Sequence, residues 1–177
     1  MDPSSTHAHK VAAHLLRTGL SETSMRRLAE VAGSSGRMLT YHFTSKNGLL
    51  KAALELCADA LEDELDDAVA RQRNSGGIGL AGVVGVLTHP LMLPYLRLWQ
   101  DMVTETAAGN TVVGAVAKDI ALSMRDWLRA ALPALSEGEA ALVIAAVDGI
   151  ARLRLVGLED EAEQARLALA SLFPHAR

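Results

Sequence analysis

Apolar residues recur three or four positions apart along most of the chain, which is the spacing of a helix face. Runs that alternate apolar and polar residues, as a half-buried strand requires, are few. Signals for helix ends divide the first part of the chain into four helices: one that stops near Gly19, one from Thr23 or Ser24 to Gly33, one capped by Ser35, and one from Ser45 to about Arg73. The pattern therefore predicts an all-α protein.

The rest of the chain repeats this pattern after the polar, glycine-rich segment 74–77, which predicts a loop. Segment 78–88 is apolar and contains several glycines, so it fits either a short helix or an irregular stretch. Four more helices are predicted beyond it. The first is begun by Pro90, with an irregular first turn at Pro94, and the second has an apolar stripe over 113–131. The third runs from Ser136 to about Val156, with a capping box at Ser136 and Glu139, and the fourth covers 160–172. The last helix is expected to bury Ala165, Ala168, Leu169 and Leu172.

The composition is typical of a folded protein in a reducing compartment. At 177 residues and 50% hydrophobic content, the chain can bury a sizeable core. No apolar run reaches the roughly 18 residues that would span a bilayer, and residues 1–10 lack the apolar segment of a secretory signal. Cys57 is the single cysteine, so no disulfide can form within the chain. We therefore expect a cytoplasmic protein with no membrane partner.

Charge is distributed unevenly along the chain, whose formal net charge is −4. Residues 1–51 hold seven Lys or Arg against three Asp or Glu, whereas the remaining residues hold ten basic and eighteen acidic side chains. A small basic segment beside a larger acidic one is typical of a module that meets a polyanion. The imbalance therefore directs attention to the first fifty residues.

Residues 25–43 have the pattern of a helix-turn-helix, two short helices joined by a turn at Gly33, whose second helix enters the major groove of DNA. Leu39 and Phe43 are four residues apart and should face inward together, which leaves the rest of that helix exposed. Arg37 can bind guanine O6 and N7 with two hydrogen bonds, and Thr40 can donate to a base or contact a thymine methyl. Neighbouring residues complete the candidate interface: Gly36, which permits close backbone approach, and Tyr41, His42, Arg26 and Lys46, which suit phosphates.

Each of these residues also has a structural interpretation. Arg37 and Tyr41 would be ordinary solvated side chains if the helix met no ligand. His42 fits packing or capping beneath the next helix as well as it fits a phosphate contact.

The stretch "TSMRRLAEVAGSSGRMLTYHFTSKNGLLKAAL", residues 23–54, resembles the DNA-binding signature of the TetR family of transcriptional regulators. The shared positions are Thr23, Met25, Arg26, Leu28, Ala29, Ala32, Gly33, Ser35, Leu39, His42, Phe43, Ser45, Lys46 and Leu49. The resemblance implies a three-helix DNA-binding domain over residues 1–50, with a DNA-facing set of Arg26, Ser35, Gly36, Arg37, Thr40, Tyr41, His42 and Lys46. Ser34, Arg37 and Thr40 differ from the usual family residues, so the operator cannot be transferred from relatives.

The resemblance further implies that residues 51–177 form a helical domain for effector binding and dimerisation. It implies a repressor that binds DNA as a homodimer and is released by a small, mostly apolar effector. Two helix-turn-helix units related by a two-fold axis would read a palindromic operator. The last two long helices are the candidates for the dimer contact, where Asp148 fits either an ion pair with Arg152 or a hydrogen bond to a partner or ligand.

Methionine and aromatic residues of the middle helices are candidates for contacts with such an effector, with Gln100 and Asp101 as additional polar candidates. The set is Met92, Tyr95, Trp99, Met102, Glu105, Met124 and Trp127. Stripes of this kind also occur in plain cores, and that alternative stays open here.

No motif indicates catalysis, and neither a cofactor nor a metal is predicted. His7, His9 and His14 lack an acidic residue or cysteine at ligand spacing. Cys57 lies on an apolar stripe and is expected in the core rather than in a redox site. The rival interpretation is a helical small-molecule-binding protein or adaptor that does not bind DNA.

Overall fold

The computed structural model describes residues 3–21, 23–73 and 78–176. Across these ranges the chain forms nine α-helices and one 3-10 helix, and no strand. The α-helices are α1 (Pro3–Thr18), α2 (Met25–Ala32), α3 (Gly36–Phe43), α4 (Lys46–Arg73), α5 (Leu80–Leu87), α6 (Leu93–Ala107), α7 (Thr111–Ala131), α8 (Glu137–Leu155) and α9 (Glu159–Leu172). The predicted all-α fold is confirmed.

The early helices begin and end where the sequence predicted, because a neighbouring side chain or glycine sets each end. Ser24 caps α2 by accepting a 3.2 Å hydrogen bond from the Arg27 N–H, and Ser35 caps α3 by accepting one of 3.2 Å from Met38. Gly33 ends α2 with a φ of 65°, in the left-handed region that glycine adopts without steric cost. These local devices place α2 and α3 on either side of a short turn.

The segment after α4 also has a defined structure where it is described. Residues 80–87, which fitted either a helix or an irregular stretch, form the buried helix α5. Pro90 starts a 3-10 turn, Pro90–Met92, that leads into α6. The predicted loop at 74–77 lies outside the described residues. Of the helices that can be described, none alone is long and apolar enough to cross a membrane, and α5 joined to 90–107 reaches that length only as a bent pair.

The chain packs as two compact units. Unit 1 comprises Met1–Leu61 and Arg97–Ile120, and unit 2 comprises Glu62–Leu96 and Ala121–Arg177. Helices α4, α6 and α7 contribute residues to both. This division reflects packing, so the functional boundary expected at residue 50 stays a prediction.

The core of unit 1 holds the helix-turn-helix in place. Leu28 of α2 and Leu39 of α3 are fully buried and belong to the same apolar cluster as Leu15 of α1. Cys57 of α4 lies in this cluster, and its thiol lies 3.6 Å from the Ala12 carbonyl oxygen. The prediction that Cys57 is a core residue is confirmed.

The turn after α1 is fixed by two charged residues of α6. The Arg97 guanidinium donates to the carbonyl oxygens of Leu16, at 2.8 Å, and Arg17, at 2.5 Å. The Asp101 carboxylate accepts a 2.8 Å hydrogen bond from the Leu20 N–H. These bonds satisfy backbone groups that a helix end leaves without a partner.

Unit 2 contains α5, which packs against α8 and α9. The Leu80 N–H donates to the Ala176 carbonyl, at 2.8 Å, which ties the start of α5 to the residues after α9. Ser136 and Glu139 form the predicted capping box at the start of α8. The Arg152 guanidinium lies 2.5 Å from the Asp148 carboxylate, so the ion pair considered for Asp148 is present.

The burial predicted for α9 is only partly correct. Leu169 is buried and Ala165 is half-buried, but Ala168 and Leu172 are exposed, and Ala162 is buried instead. The apolar positions of α9 extend around more of the helix than one packed face can cover. Periodicity alone therefore does not identify the buried subset.

Candidate nucleic-acid interface

Helix α3 presents one polar face to solvent and one apolar residue to the core. Arg37, Thr40 and Tyr41 are exposed, and the Tyr41 side chain is 80% exposed. Leu39 is fully buried and Phe43 is half-buried against the same cluster. Because Arg37, Thr40 and Tyr41 are three and four residues apart, they share a face of the helix. The structure thus brings these three predicted DNA-facing residues together.

The first turn of α3 is shaped by Ser35 and Gly36. Ser35 is exposed and uses its hydroxyl oxygen as the helix cap. A methyl group added at Gly36 would lie 3.5 Å from Met25 Cγ, an ordinary contact, so the fold does not require glycine there. The Thr40 hydroxyl donates to the Gly36 carbonyl oxygen at 2.9 Å.

The junction from α3 to α4 is tight. Thr44 has a φ of 66°, a region that a β-branched residue rarely occupies, and the Ser45 N–H donates to the Phe43 carbonyl at 2.7 Å. A Cβ on Gly48 would stand 2.1 Å from that carbonyl oxygen. Glycine at position 48 is thus required for α4 to start this close to the end of α3.

His42 is half-buried within a group of rings. Its centroid lies 5.8 Å from that of His7 on α1, 5.3 Å from Tyr41 and 6.4 Å from Phe43. The ring thus packs against His7 of α1 and against its own neighbours in α3, whereas packing beneath α4 was the structural interpretation; a phosphate contact stays a prediction.

The two flanking basic candidates are both accessible. The Arg26 side chain is 91% exposed, and its Nε lies 3.8 Å from a Glu30 carboxylate oxygen, a contact that contributes little in water. Lys46 is exposed in the first turn of α4. Both side chains are positioned in the unit that holds α3.

A third basic residue has a role that the sequence did not reveal. The Lys10 ammonium of α1 donates to the Ala32 carbonyl at the end of α2, at 3.1 Å. A cation at this end of a helix is favourable because the last carbonyls carry partial negative charge. Lys10 therefore fixes the end of α2 beside the turn, and only its place in the basic first segment indicated a function.

The predicted effector residues are divided between the two units. Three of them lie in unit 1: Met102 is buried, and Trp99 and Glu105 are half-buried. Glu105 accepts a 3.1 Å hydrogen bond from the Asn110 side chain. Asp101, an additional polar candidate, is engaged by the Leu20 N–H. Effector binding by these residues stays a prediction.

The other four candidates lie in unit 2: Met92 is buried, and Tyr95, Met124 and Trp127 are half-buried. The Trp127 indole N–H donates to Asp66 of α4 at 2.8 Å. This bond already satisfies the polar end of one of the two tryptophans in the set.

Helices α8 and α9 pack on each other and leave large apolar side chains in solvent. Those exposed on the two helices and the turn between them are Leu142, Leu155, Val156, Leu158, Leu167 and Leu172. Burying these side chains against a partner would remove apolar surface from water, which favours association.

Comparison with known proteins gives three findings. The family profile described as "Bacterial regulatory proteins, tetR family" matches residues 10–53. A crystal structure of a transcriptional regulator from Rhodococcus sp. Rha1 is similar with a TM-score of 0.75 at 22% identity, covering 99% of this chain and 98% of that one. A second, described as a TetR-family transcriptional regulator from Rhodococcus sp., has a TM-score of 0.66 at 19% identity, covering 98% of this chain and 97% of that one. No curated protein matches the chain.

The matched segment contains α2, the turn and α3, the elements that carry the exposed polar face. The structural likeness extends over nearly the whole chain and shows that the fold is shared. Residues 10–53 thus match the profile of the tetR family of bacterial regulatory proteins, and within that segment residues 25–43 form a helix-turn-helix.

Proposed function

We propose that this protein is a transcriptional repressor that binds a palindromic operator as a homodimer and leaves it when a small, mostly apolar effector binds. The observation that carries the proposal is the exposed polar face of α3. Arg37, Thr40 and Tyr41 lie on that face, within a helix-turn-helix of a regulatory family. The first residues of a recognition helix are the ones that reach base edges in this motif.

Positive charge and access support DNA as the partner. Arg26, Arg37 and Lys46 are exposed cations in unit 1, where they can neutralise phosphates or bind guanine. Gly36 is not required by the fold, and its lack of a side chain permits backbone approach to DNA. With the Ser35 cap and the ring of His42, these residues form the proposed interface.

The homodimer is supported by the exposed apolar side chains of α8 and α9. Leu167 and Leu172 on α9 are each more than half exposed, as is Leu142 on α8. Because about half of each side chain is already covered, burying the rest of one is worth roughly 1 kcal/mol, and a two-fold contact through this helix pair would add several such gains. Two recognition helices would then read two half-sites about 34 Å apart.

Effector release is proposed to act through α4. This helix starts two residues after α3 and runs without interruption from Lys46 to Arg73. It contributes residues to both units, so an effector that binds one arrangement of the body better than another would alter the spacing of the recognition helices. The proposed effector residues are those of α6 and α7 together with Met92.

The test is selection of bound sequences from a random DNA duplex pool, followed by a salt titration of the affinity for the selected duplex. We expect a palindrome, two protein chains per duplex, and an affinity that falls steeply with salt. Arg37→Ala should weaken binding and relax selectivity at one base pair per half-site. Lys118→Ala, which removes one exposed charge from α7 outside the helix-turn-helix, is the matched control and should change little.

Failure to enrich any sequence would refute DNA reading by this chain. Release from DNA is tested separately. Compounds that bind the protein are first found by the rise in its thermal stability, and each is then titrated into the protein–operator complex. If every compound that binds leaves operator affinity unchanged, the effector part of the proposal is wrong.

A further inference from the structure

The hydroxyl of Thr40 is already engaged within the recognition helix. Its Oγ1 donates to the Gly36 carbonyl oxygen, one turn earlier, at 2.9 Å. A threonine hydroxyl has a single hydrogen to donate. Thr40 is exposed, and the parts of its side chain that remain for a ligand are the γ-methyl group and the lone pairs of the oxygen.

Arg37 lies on the same face, three residues before Thr40, and both are exposed. Three residues advance about 4.5 Å along a helix axis, which is close to the rise of about 3.4 Å between base pairs. Two side chains at this separation in the major groove therefore reach bases within about two base pairs of each other.

The chemical groups that each base presents in the major groove decide which base each of these two side chains can recognise. An arginine guanidinium matches O6 and N7 of guanine, and an exposed methyl group matches the C5-methyl of thymine. Reading an acceptor such as guanine N7 through the Thr40 hydroxyl would first require breaking its bond to Gly36.

We propose that Thr40 recognises thymine through its methyl group, beside a guanine bound by Arg37, so that each half-site contains a guanine and a thymine within about two base pairs. The inference rests on the proposed function, since it specifies what the α3 face reads. It assigns base chemistry to Arg37 and Thr40, two of the three positions where this chain differs from the usual family residues.

The direct test leaves the protein unchanged. Each thymine of the selected duplex is replaced in turn, in both half-sites, by uracil, which differs only in lacking the methyl group. At one position we expect affinity to fall about fourfold per half-site, the factor for one buried methyl, and roughly 15-fold for both half-sites. Replacing the neighbouring guanine by 7-deazaguanine should weaken binding by the wild-type chain but not by Arg37→Ala.

Two variants separate the methyl from the hydroxyl. Thr40→Val keeps a methyl group on a β-branched side chain and removes the hydroxyl, and it should bind nearly as tightly as wild type with the same sensitivity to uracil. Thr40→Ser keeps the hydroxyl and removes the methyl, so uracil at the critical position should no longer weaken its binding. Circular dichroism of both variants checks that the exposed substitution leaves the helices intact.

The possible results distinguish a failure of the proposed DNA binding from a failure of thymine recognition by Thr40. If no duplex is selected, the proposed DNA reading fails, and this inference fails with it. If a duplex is selected but contains no thymine whose replacement by uracil weakens wild-type binding, only this inference is wrong. Loss of binding in Thr40→Val, with Thr40→Ser behaving as wild type, would show that the hydroxyl makes the contact and would also overturn it. Should Thr40→Val not fold, the comparison of wild type with Thr40→Ser still decides.

Discussion

Replacing Gly19 by alanine would place a methyl group where the Asp101 carboxylate lies. Gly19 has a φ of 70°, and a Cβ built on it would stand 2.0 Å from Asp101 Oδ2. That oxygen accepts the 2.8 Å hydrogen bond from the Leu20 N–H, so the carboxylate could make room only by giving up this bond. The substitution therefore has two costs, one from backbone strain and one from the lost bond.

The two costs can be estimated separately. A non-glycine residue in the left-handed conformation costs about 1.5 kcal/mol. A hydrogen bond to a charged group at a partly buried site contributes about 1.5 kcal/mol. Gly19→Ala should therefore lower the free energy of unfolding by about 3 kcal/mol in the wild-type chain. In a chain that carries Asp101→Ala it should lower it by only about 1.5 kcal/mol, since the carboxylate is already absent.

The assay is urea unfolding followed by far-ultraviolet circular dichroism for the four members of this double-mutant cycle. Protein concentration is held fixed, because the stability would depend on it if the proposed homodimer forms. Asp101→Asn is the matched control, since it keeps the shape and an acceptor oxygen and should leave the cost of Gly19→Ala near its wild-type value. The reasoning is refuted if Gly19→Ala costs the same free energy with and without the Asp101 side chain.

Two further predictions follow from perturbed titrations. Burial raises the pKa of Cys57 to about 12, so the folded protein should resist maleimide at pH 8 and react only after denaturant is added; rapid labelling of the native chain would contradict this burial. Hydrogen bonds from the Ser136 side chain and backbone lower the pKa of Glu139 in the folded chain, and His175 lowers it further. The Glu139 carboxylate therefore stabilises the fold above its unfolded pKa, and this stabilisation is lost as pH falls through the folded pKa. In an NMR titration, Ser136→Ala should move the pKa of Glu139 back towards its usual value, and His175→Ala should move it less. A larger shift in His175→Ala would show that His175, and not Ser136, is the main cause.

The sequence was sufficient for features that are set by near neighbours. Ser24, Ser35 and the Ser136–Glu139 box stand within three residues of the backbone groups they satisfy, so the start of each helix could be predicted without knowing its packing. The exposed face of α3 was also predictable, because turning Leu39 and Phe43 inward leaves Arg37, Thr40 and Tyr41 in solvent.

Only the tertiary structure decided which residues meet across the chain. Asp101 was considered for an effector, yet it binds the Leu20 N–H, 81 positions away, and Lys10 binds a carbonyl 22 positions away. In α9, Leu172 and Ala162 have the same apolar character, but only Ala162 is buried. Local spacing determines where a helix begins and which residues share a face, whereas the neighbour that covers a face comes from distant sequence. The sequence by itself therefore predicted most of the helices and the family that residues 23–54 resemble, and packing decided the contacts that hold the helix-turn-helix in place.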